Sequence, residues 1–222
     1  MNARGVFVTG TDTGVGKTHA SCVLIGALRM RGLRVVGMKP VASGCRATPE
    51  GLRNDDAEAL IAASAPMPSY ADCNPYAFAP AIAPHIAARA AGVEVQLAPL
   101  LAAQARLARL ADRIVVEGVG GWMAPLSESL MQADLVRALE VPVVLVVGLR
   151  LGCINHALLS ARAIAADGAA LVGWIANRID ADMPEVDANL ATLRTRIDAP
   201  LLGVLEHVGD RSPAGRLDTA AL

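Results

Sequence analysis

The sequence predicts an α/β three-layer sandwich with a mainly parallel central sheet, in a single domain over residues 1–222. Three observations predict it. Short, β-prone apolar runs alternate with helical stretches, the pattern of a parallel sheet covered on both faces. A glycine-rich turn ending in Gly16-Lys17-Thr18 separates the first run from the first helical stretch. Apolar residues make up 54% of the chain and aromatics only 3%, so Val, Leu, Ile and Ala must fill one substantial core.

Taken in order, Gly5 to Thr9 reads as a buried first strand, and Thr18 to Arg31 as a helix that Gly32 stops. Leu33 to Met38 reads as the second strand. From Lys39 to Arg53 the periodicity is lost, which predicts a long loop. Asn54 or Asp55 can cap a helix reaching Ala63. Ala65 to Pro84 holds five of the thirteen prolines and is expected to be irregular. Helices are expected over His85–Ala91 and Ala98–Ala111. Arg113 to Val116 reads as a strand ending at Glu117, with a glycine-rich loop from Gly118 to Gly121. Val141–Val147 is the next strand, Cys153–Ala166 a helix, Leu171–Ala176 a strand, Met183–Ile197 a helix and Leu201–Leu205 a last short strand. Nothing regular is expected beyond Gly209.

Composition excludes several classes. The net charge is −1, with no basic run and no interleaving of aromatic and basic residues, so no nucleic-acid partner is expected. The longest strongly apolar run, Val141 to Leu149, is too short to span a bilayer. The chain enters a strand almost at once, leaving no room for a signal peptide, and cytoplasmic residence is the expectation. Cys22, Cys45, Cys73 and Cys153 form no CxxC pair and lack a histidine at zinc spacing, so they read as reduced thiols.

Gly10-Thr-Asp-Thr-Gly-Val-Gly-Lys-Thr18 lies between a strand and a helix. A triphosphate requires a nest of backbone N–H groups, which glycines allow it to approach, and the helix adds its N-terminal dipole. Lys17 can reach the β- and γ-phosphates, and the Thr18 hydroxyl can ligate Mg²⁺. Five residues separate Gly10 from Gly16, one more than the usual spacing, while the Gly-x-Gly-Lys-Thr core is intact. Mg²⁺ takes oxygen ligands, and two carboxylates are placed to supply them. Glu117 ends an apolar strand. Asp56 begins a helix after a long loop, where capping by Asp55 or Asp56 competes with metal binding.

A phosphate loop fixes nucleotide binding and leaves the reaction open. The partitioning ATPases carry a second lysine near the start of the loop; this chain has Asp12 there. Lys39 directly follows the second strand. Neighbouring parallel strands align their C-terminal ends at the ligand crevice, so Lys39 can set a second cation on a transferring phosphoryl group; the competing reading is a sheet-edge lysine facing water.

Seven segments in this order carry a family resemblance: Gly10 to Thr18, Lys39-Pro-Val-Ala-Ser-Gly44, Arg53-Asn-Asp-Asp-Ala57, Ala83-Pro-His-Ile-Ala87, Glu117-Gly-Val-Gly-Gly-Trp122, Leu151-Gly-Cys-Ile-Asn-His156 and Gly173-Trp-Ile-Ala-Asn177. From about Val6 to Gly203 the chain closely resembles the dethiobiotin synthetase family, whose members have a P-loop NTPase-type fold. The phosphate loop alone is unspecific, whereas its combination with Lys39–Gly44 and Leu151–His156 is highly specific. The resemblance implies an ATP- and Mg²⁺-dependent cyclo-ligase that converts 7,8-diaminononanoate and CO₂ into a cyclic urea, through a carbamate and a mixed carbamic-phosphoric anhydride. Lys39, with Lys17, would be catalytic. Thr13 and Ser43 would contact the diamine or carbamate. Thr18, Asp56 and Glu117 would ligate the metal. Gly14, Val15, Gly16, Lys17, Thr18 and His19, with Gly118, Val119 and Gly120, would line the nucleotide, and Asn177 with Arg178 would read its base. Without the resemblance, Asn177 reads as a turn residue.

Leu151, Gly152, Cys153, Ile154 and Asn155 open a helix whose free N–H groups suit a substrate carboxylate. In the family this segment comes from the partner subunit, which implies a homodimer; the local reading is a helix capped by Asn155. His156, Trp122 and Trp174 read as structural. Gly14 stands where some members carry Glu, and Glu206-His207-Val208 replaces a proline-containing segment near the purine. A partner-regulated switch ATPase is the alternative function. A small-molecule kinase would leave Lys39 and Leu151–Asn155 without partners, and a larger amide ligase would need an amidotransferase domain for which the chain has no room.

Overall fold

The computed structural model describes residues 4–206, 217–220 and 222. Its elements are, in chain order, β1 (Arg4–Gly10), α1 (Lys17–Met30), β2 (Val35–Met38), β3 (Val41–Ser43), β4 (Arg46–Thr48), β5 (Gly51–Arg53), α2 (Asp55–Ala63), α3 (Tyr70–Cys73), β6 (Tyr76–Phe78), α4 (Pro84–Ala90), α5 (Leu97–Leu110), β7 (Arg113–Gly121), α6 (Gln132–Leu139), β8 (Val143–Leu149), α7 (Cys153–Ala166), β9 (Leu171–Arg178), α8 (Val186–Arg196) and β10 (Leu201–Leu205). Six strands form one sheet in the order β10-β9-β8-β1-β7-β2, and every pairing is parallel. The predicted three-layer α/β sandwich is therefore present.

The period-two alternation of strands distributes the core between both faces. In β1, Val6 and Val8 face α1 and α2, where they meet Leu24, Leu28, Ala57 and Leu60, while Phe7 joins the opposite layer with Leu107, Leu135 and Ile164 from α5, α6 and α7. All seven residues of β8 are buried, as a parallel strand covered on both sides requires. At about 25 cal/mol per Å² of apolar surface, these mainly aliphatic layers supply most of the stabilisation, with Phe7 and Trp174 among the few aromatic side chains buried in them.

Several boundaries differ from the sequence expectations. The supposed loop from Lys39 to Arg53 contains three short strands: β3 pairs with β6, and β4 with β5 as an antiparallel hairpin. The proline-rich stretch from Ala65 to Pro84 likewise holds α3 and β6. These strands are only three residues long and take their pairing from distant segments, so local periodicity does not register them. Helix α6 follows a Ser- and Pro-containing stretch and is an element beyond the sequence expectations. Its signals were Asp134 three residues after Met131 and the spacing of Leu135, Val136 and Leu139; the Asp134 carboxylate accepts from the Met131 N–H at 2.9 Å.

The largest correction concerns β7, which continues through Glu117 to Gly121. Its end still pairs with β1, with Val8 beside Glu117 and Gly10 beside Gly121. Gly118 serves close packing there: a Cβ would lie 2.8 Å from the Phe7 ring and would meet the Gln132 amide. Glu117 is thus a wholly buried mid-strand residue rather than an exposed strand end.

Strand β2 is a sheet edge, yet all four of its residues are buried. Its outward N–H groups have acceptors outside the sheet. Val35 donates to the Ala65 carbonyl at 2.8 Å, Gly37 to Ser64 Oγ at 2.8 Å, and Lys39, just past the strand, to the Cys73 carbonyl at 2.7 Å. The four cysteines are free, and burial pushes the Cys22 thiol up to about 11 and that of Cys73 up to about 12. No helix among the described residues is long and apolar enough to cross a membrane.

Candidate functional site

Parallel strands deliver their C-terminal ends to one crevice. The loop after β1, the start of α1, the residue after β2 and the C-terminal half of β7 meet around a cavity of about 800 Å³. Thr13, Gly14, Gly16, Lys17, Thr18, Lys39, Ser43, Asp56, Glu117, Val119 and Gly120, all anticipated from the sequence, line it. Its other wall is apolar, formed by Ala81, Ile82, Ala83, Pro84, Ala124 and Pro125. The remaining anticipated residues lie outside that lining. Val15 is buried beneath the loop, His19 is half-buried in the first turn of α1, and the Gly118 carbonyl accepts from Lys39 Nζ at 3.2 Å. Asn177 is buried, with Nδ2 donating to the Val15 carbonyl at 2.9 Å, and Arg178 pairs with Glu206 at 3.0 Å. His207 and Val208 lie outside the described residues.

The phosphate loop is built as its glycines require. Gly14 and Gly16 have φ of 75° and 82°, the left-handed region that favours glycine. Gly16 is the N-cap of α1, no side chain caps the helix, and its first turn carries no acidic residue. Its amides and positive dipole end are left for an anion. Lys17 Nζ donates to the Asp12 carbonyl at 2.9 Å, and Arg150 pairs with the Asp12 carboxylate at 2.7 Å. Asp12 therefore braces the loop from the position where the partitioning ATPases carry a lysine.

Lys39 does not face water. It is buried, with Nζ 2.5 Å from Glu117 Oε1 and 2.9 Å from Asp56 Oδ2. The Thr18 hydroxyl donates to the same Glu117 oxygen at 3.0 Å. The capping question is also resolved: Asn54 caps α2 by accepting from the Ala57 N–H at 3.2 Å, Asp55 pairs with Arg46 at 2.6 Å, and Asp56 turns into the cavity. Burial alone would lower the Lys39 ammonium, but the Glu117 and Asp56 charges outweigh it and raise it above its ordinary value. Burial would raise the Asp56 carboxyl, and Lys39 reverses this and lowers it.

Glu117 Oε2 is buried without a hydrogen-bond partner. A buried unpartnered carboxylate oxygen, with a hydroxyl and a second carboxylate lining the same cavity, is the hard-oxygen donor set that suits Mg²⁺, so Thr18, Asp56 and Glu117 fit the ion that their sequence positions imply.

The sequence contains two lysines, Lys17 and Lys39, and both lie in this cavity. Burial, followed by repulsion from Lys39, holds Lys17 down to about 8, against the opposing pull of Glu117, Asp56 and Asp12. A phosphate beside it favours the charged form. Nucleotide binding above pH 8 should therefore take up a proton, and affinity should fall with rising pH by up to about tenfold per unit. Calorimetry at pH 8 to 9 in buffers of different ionisation enthalpy reads this directly; proton release on binding would contradict the assignment.

Gln132 escaped the sequence analysis. It is buried on α6, its Oε1 accepts from the Val119 N–H at 2.8 Å, and its Nε2 donates to the Gly121 carbonyl at 3.1 Å and Thr9 Oγ1 at 3.2 Å. It therefore fixes the glycine-rich end of β7 against β1.

Leu151 to Asn155 does not reach the cavity of its own chain. Gly152, with φ 93°, is the N-cap of α7, so Asn155 is a first-turn residue and not the cap. That first turn also has no acidic residue and no side-chain cap, and Leu151 is 96% exposed. Trp122 and Trp174 are buried packing residues, Trp122 donating to Asp167 at 2.6 Å.

The parallel three-layer sheet with a glycine-rich phosphate loop after its first strand defines a P-loop nucleotide-binding protein. The signal recognition particle receptor FtsY of Elizabethkingia anophelis in complex with GDP shares this fold, with a TM-score of 0.54 at 14% identity; the likeness covers all of this chain and 62% of that one. A family model described as an AAA domain matches residues 4–214. The ATP-dependent dethiobiotin synthetase BioD of Xylella fastidiosa strain 9a5c is 59% identical over 94% of this chain and 92% of its own. That of Xanthomonas oryzae pv. oryzae strain PXO99A is 58% identical over 97% and 96%. The chain belongs to the ATP-dependent dethiobiotin synthetase family.

Proposed function

We propose that this chain is an ATP-dependent dethiobiotin synthetase, a single-domain cyclo-ligase forming carbon–nitrogen bonds from 7,8-diaminononanoate and CO₂. Lys39 carries the reading. Its buried ammonium, set between Glu117 and Asp56 beside Lys17, is what a reaction passing through an anionic carbamate and a phosphoryl transfer requires.

One amine of the substrate adds to CO₂, forming an N–C bond and losing a proton. A carbamate oxygen then attacks the γ-phosphorus of ATP, and ADP leaves. The second amine attacks the carbonyl carbon of the mixed anhydride and gives up a proton, phosphate departs with its electron pair, and the ring closes. Lys39 and Lys17 hold the negative charge on the carbamate and transferring phosphoryl oxygens. Thr13 and Ser43 orient the carbamate and diamine, and the apolar wall at Ala81–Pro84 seats the aliphatic chain. The loop from Gly14 to Thr18 and His19, with Gly118, Val119 and Gly120, lines the nucleotide, and Asn177 with Arg178 reads the base. Thr18, Asp56 and Glu117 would hold Mg²⁺, which when bound neutralises phosphate charge.

Incubation with Mg-ATP, 7,8-diaminononanoate and labelled bicarbonate, followed by acid, tests the reading. A carbamate loses CO₂ in acid, whereas a cyclic urea keeps it. Acid-stable label that requires both ATP and the diamine is expected. Its absence from protein that binds ATP would favour the switch-ATPase alternative, against which Asp12 and its Arg150 pair already speak.

The protein works as a homodimer in this reading, with Leu151 to Asn155 of one protomer completing the substrate site of the other. The uncapped first turn of α7 and the exposed Leu151 support this. Dilution to monomer is expected to remove activity; full turnover by a proven monomer would reject the arrangement. Cytoplasmic residence accompanies these substrates and is testable by cell fractionation.

A further inference from the structure

Lys39 leaves an edge strand, so no neighbouring strand holds its main chain on the outer side. Two consecutive residues at the end of α3 hold it instead. The Lys39 N–H donates to the Cys73 carbonyl at 2.7 Å, and the Lys39 carbonyl accepts from Asn74 Nδ2 at 2.6 Å. Asn74 is buried, and both hydrogens of its Nδ2 are used. Nδ2 also donates to the Tyr76 carbonyl at 3.1 Å, and Oδ1 accepts from the Tyr70 hydroxyl at 3.0 Å. Two carbonyls against Nδ2 fix the orientation of the amide, since a flip would set oxygen against oxygen.

The chain of bonds continues. Tyr70 Oη accepts from the Asn54 N–H at 2.7 Å, and the Arg53 guanidinium packs over the Tyr70 ring, 4.3 Å from its centroid. Asn54 is the cap of α2, whose first turn carries Asp56, and Asp56 returns to Lys39 Nζ at 2.9 Å. The links close into a ring: Lys39 carbonyl, Asn74, Tyr70, Asn54, the first turn of α2, Asp56 and Lys39 ammonium. Asn54 Nδ2 also donates to the Ser43 carbonyl at 3.4 Å, which attaches the segment after Lys39 to the same ring.

We propose that Asn74 and Tyr70 are positioning residues, a strut that sets the Lys39 ammonium against Asp56 from outside the cavity. The proposal rests on the reading of Lys39 given above. Neither residue lines the cavity, and both are joined to it only through the main chain of Lys39 and the cap of α2. Because Cys73 and Asn74 grip the main chain of Lys39, the base of that side chain stays in place when Asp56 turns to another partner. A side chain held at both ends reaches the reacting oxygens in one geometry, and a displacement of about 1 Å at such a centre costs up to roughly 100-fold in rate.

The test uses Asn74→Ala and Tyr70→Phe in the full-length protein, with two readouts. Turnover per folded molecule should fall roughly 10- to 100-fold in Asn74→Ala and less in Tyr70→Phe, while nucleotide affinity stays within about threefold. Because the chain has only two lysines, amine modification followed by mass spectrometry reports each separately. Lys39 should be modified several-fold faster in both variants, with Lys17 unchanged as internal control. If Asn74→Ala fails to fold, Tyr70→Phe, which removes a single hydroxyl, decides alone. Unchanged Lys39 modification in a folded variant overturns the strut, as does parallel acceleration at Lys17. If the wild-type protein forms no cyclic urea, the functional reading falls, and the modification rates still decide the strut.

Discussion

Replacing Lys39 by Gln is expected to reduce ring closure by about 10²- to 10³-fold while leaving nucleotide affinity within a few-fold. A positioned cation acts on charge that develops in the transition state, and its removal costs about 2.7–4 kcal/mol when the site is dry. Lys39 meets both conditions, being buried and in contact with Glu117 and Asp56. Gln keeps a donor of similar length and loses the charge. The phosphate loop comes from β1 and α1, and its link to Lys39 runs through Glu117, whose Oε1 also accepts from Thr18. The substitution also leaves Glu117, wholly buried, without its cation, so the ligand-free protein should lose about 3–5 kcal/mol of stability. Mg-nucleotide should restore part of this by supplying a new cation to the same oxygens. Single-turnover rates, nucleotide titration and thermal unfolding with and without Mg-ATP check the three parts. A loss of nucleotide affinity equal to the loss of rate would assign Lys39 to ground-state binding instead.

Gly16→Ala should abolish nucleotide binding and destabilise the fold. Two costs combine. At φ 82° a Cβ is strained by about 1–3 kcal/mol. That Cβ would also run into Nδ2 of Asn177, which is itself held by the Val15 carbonyl. The neighbour cannot withdraw without releasing the loop from below. At roughly 2–4 °C per kcal/mol, the melting temperature should fall by at least several degrees. The double variant Gly16→Ala/Asn177→Ala should recover the part due to the clash and keep the part due to φ. A single variant that retains wild-type nucleotide affinity would show that the loop does not bind phosphate in this conformation. At Gly14, φ is similar but nothing lies within 4 Å of a Cβ, so Gly14→Ala should incur the backbone cost alone.

The layered sheet, the phosphate loop and Lys39 were legible because each is a local pattern: alternation of elements, glycines at fixed offsets, a lysine directly after an apolar run. Asp56 was ambiguous because capping and metal binding call for the same residue type at a helix start. Only the placement of Asn54 over the Ala57 amide separates them. Glu117 read as a strand end because four glycine and valine residues follow it, and glycine signals a loop as readily as it signals tight packing. The supporting residues were invisible for another reason. Asn74 lies 35 residues from Lys39, and Gln132 lies 123 from Thr9, so no window of sequence contains both partners. Nor does local sequence distinguish an Asn that ends a short helix from one that also holds the main chain of Lys39.

The protected edge of β2 has a consequence beyond the reaction. Val35 to Met38 is an apolar strand at the border of a parallel sheet, the kind of surface on which chains add to one another. Ala65, Ser64 and Cys73 occupy its outward amides, so the segment that anchors Lys39 also denies that border to a second sheet. The setting of Lys39 and the cover of the β2 border thus share one stretch of backbone. Variants that loosen residues 64–74 are expected to lose solubility together with turnover, read as the soluble fraction beside the rate per folded molecule.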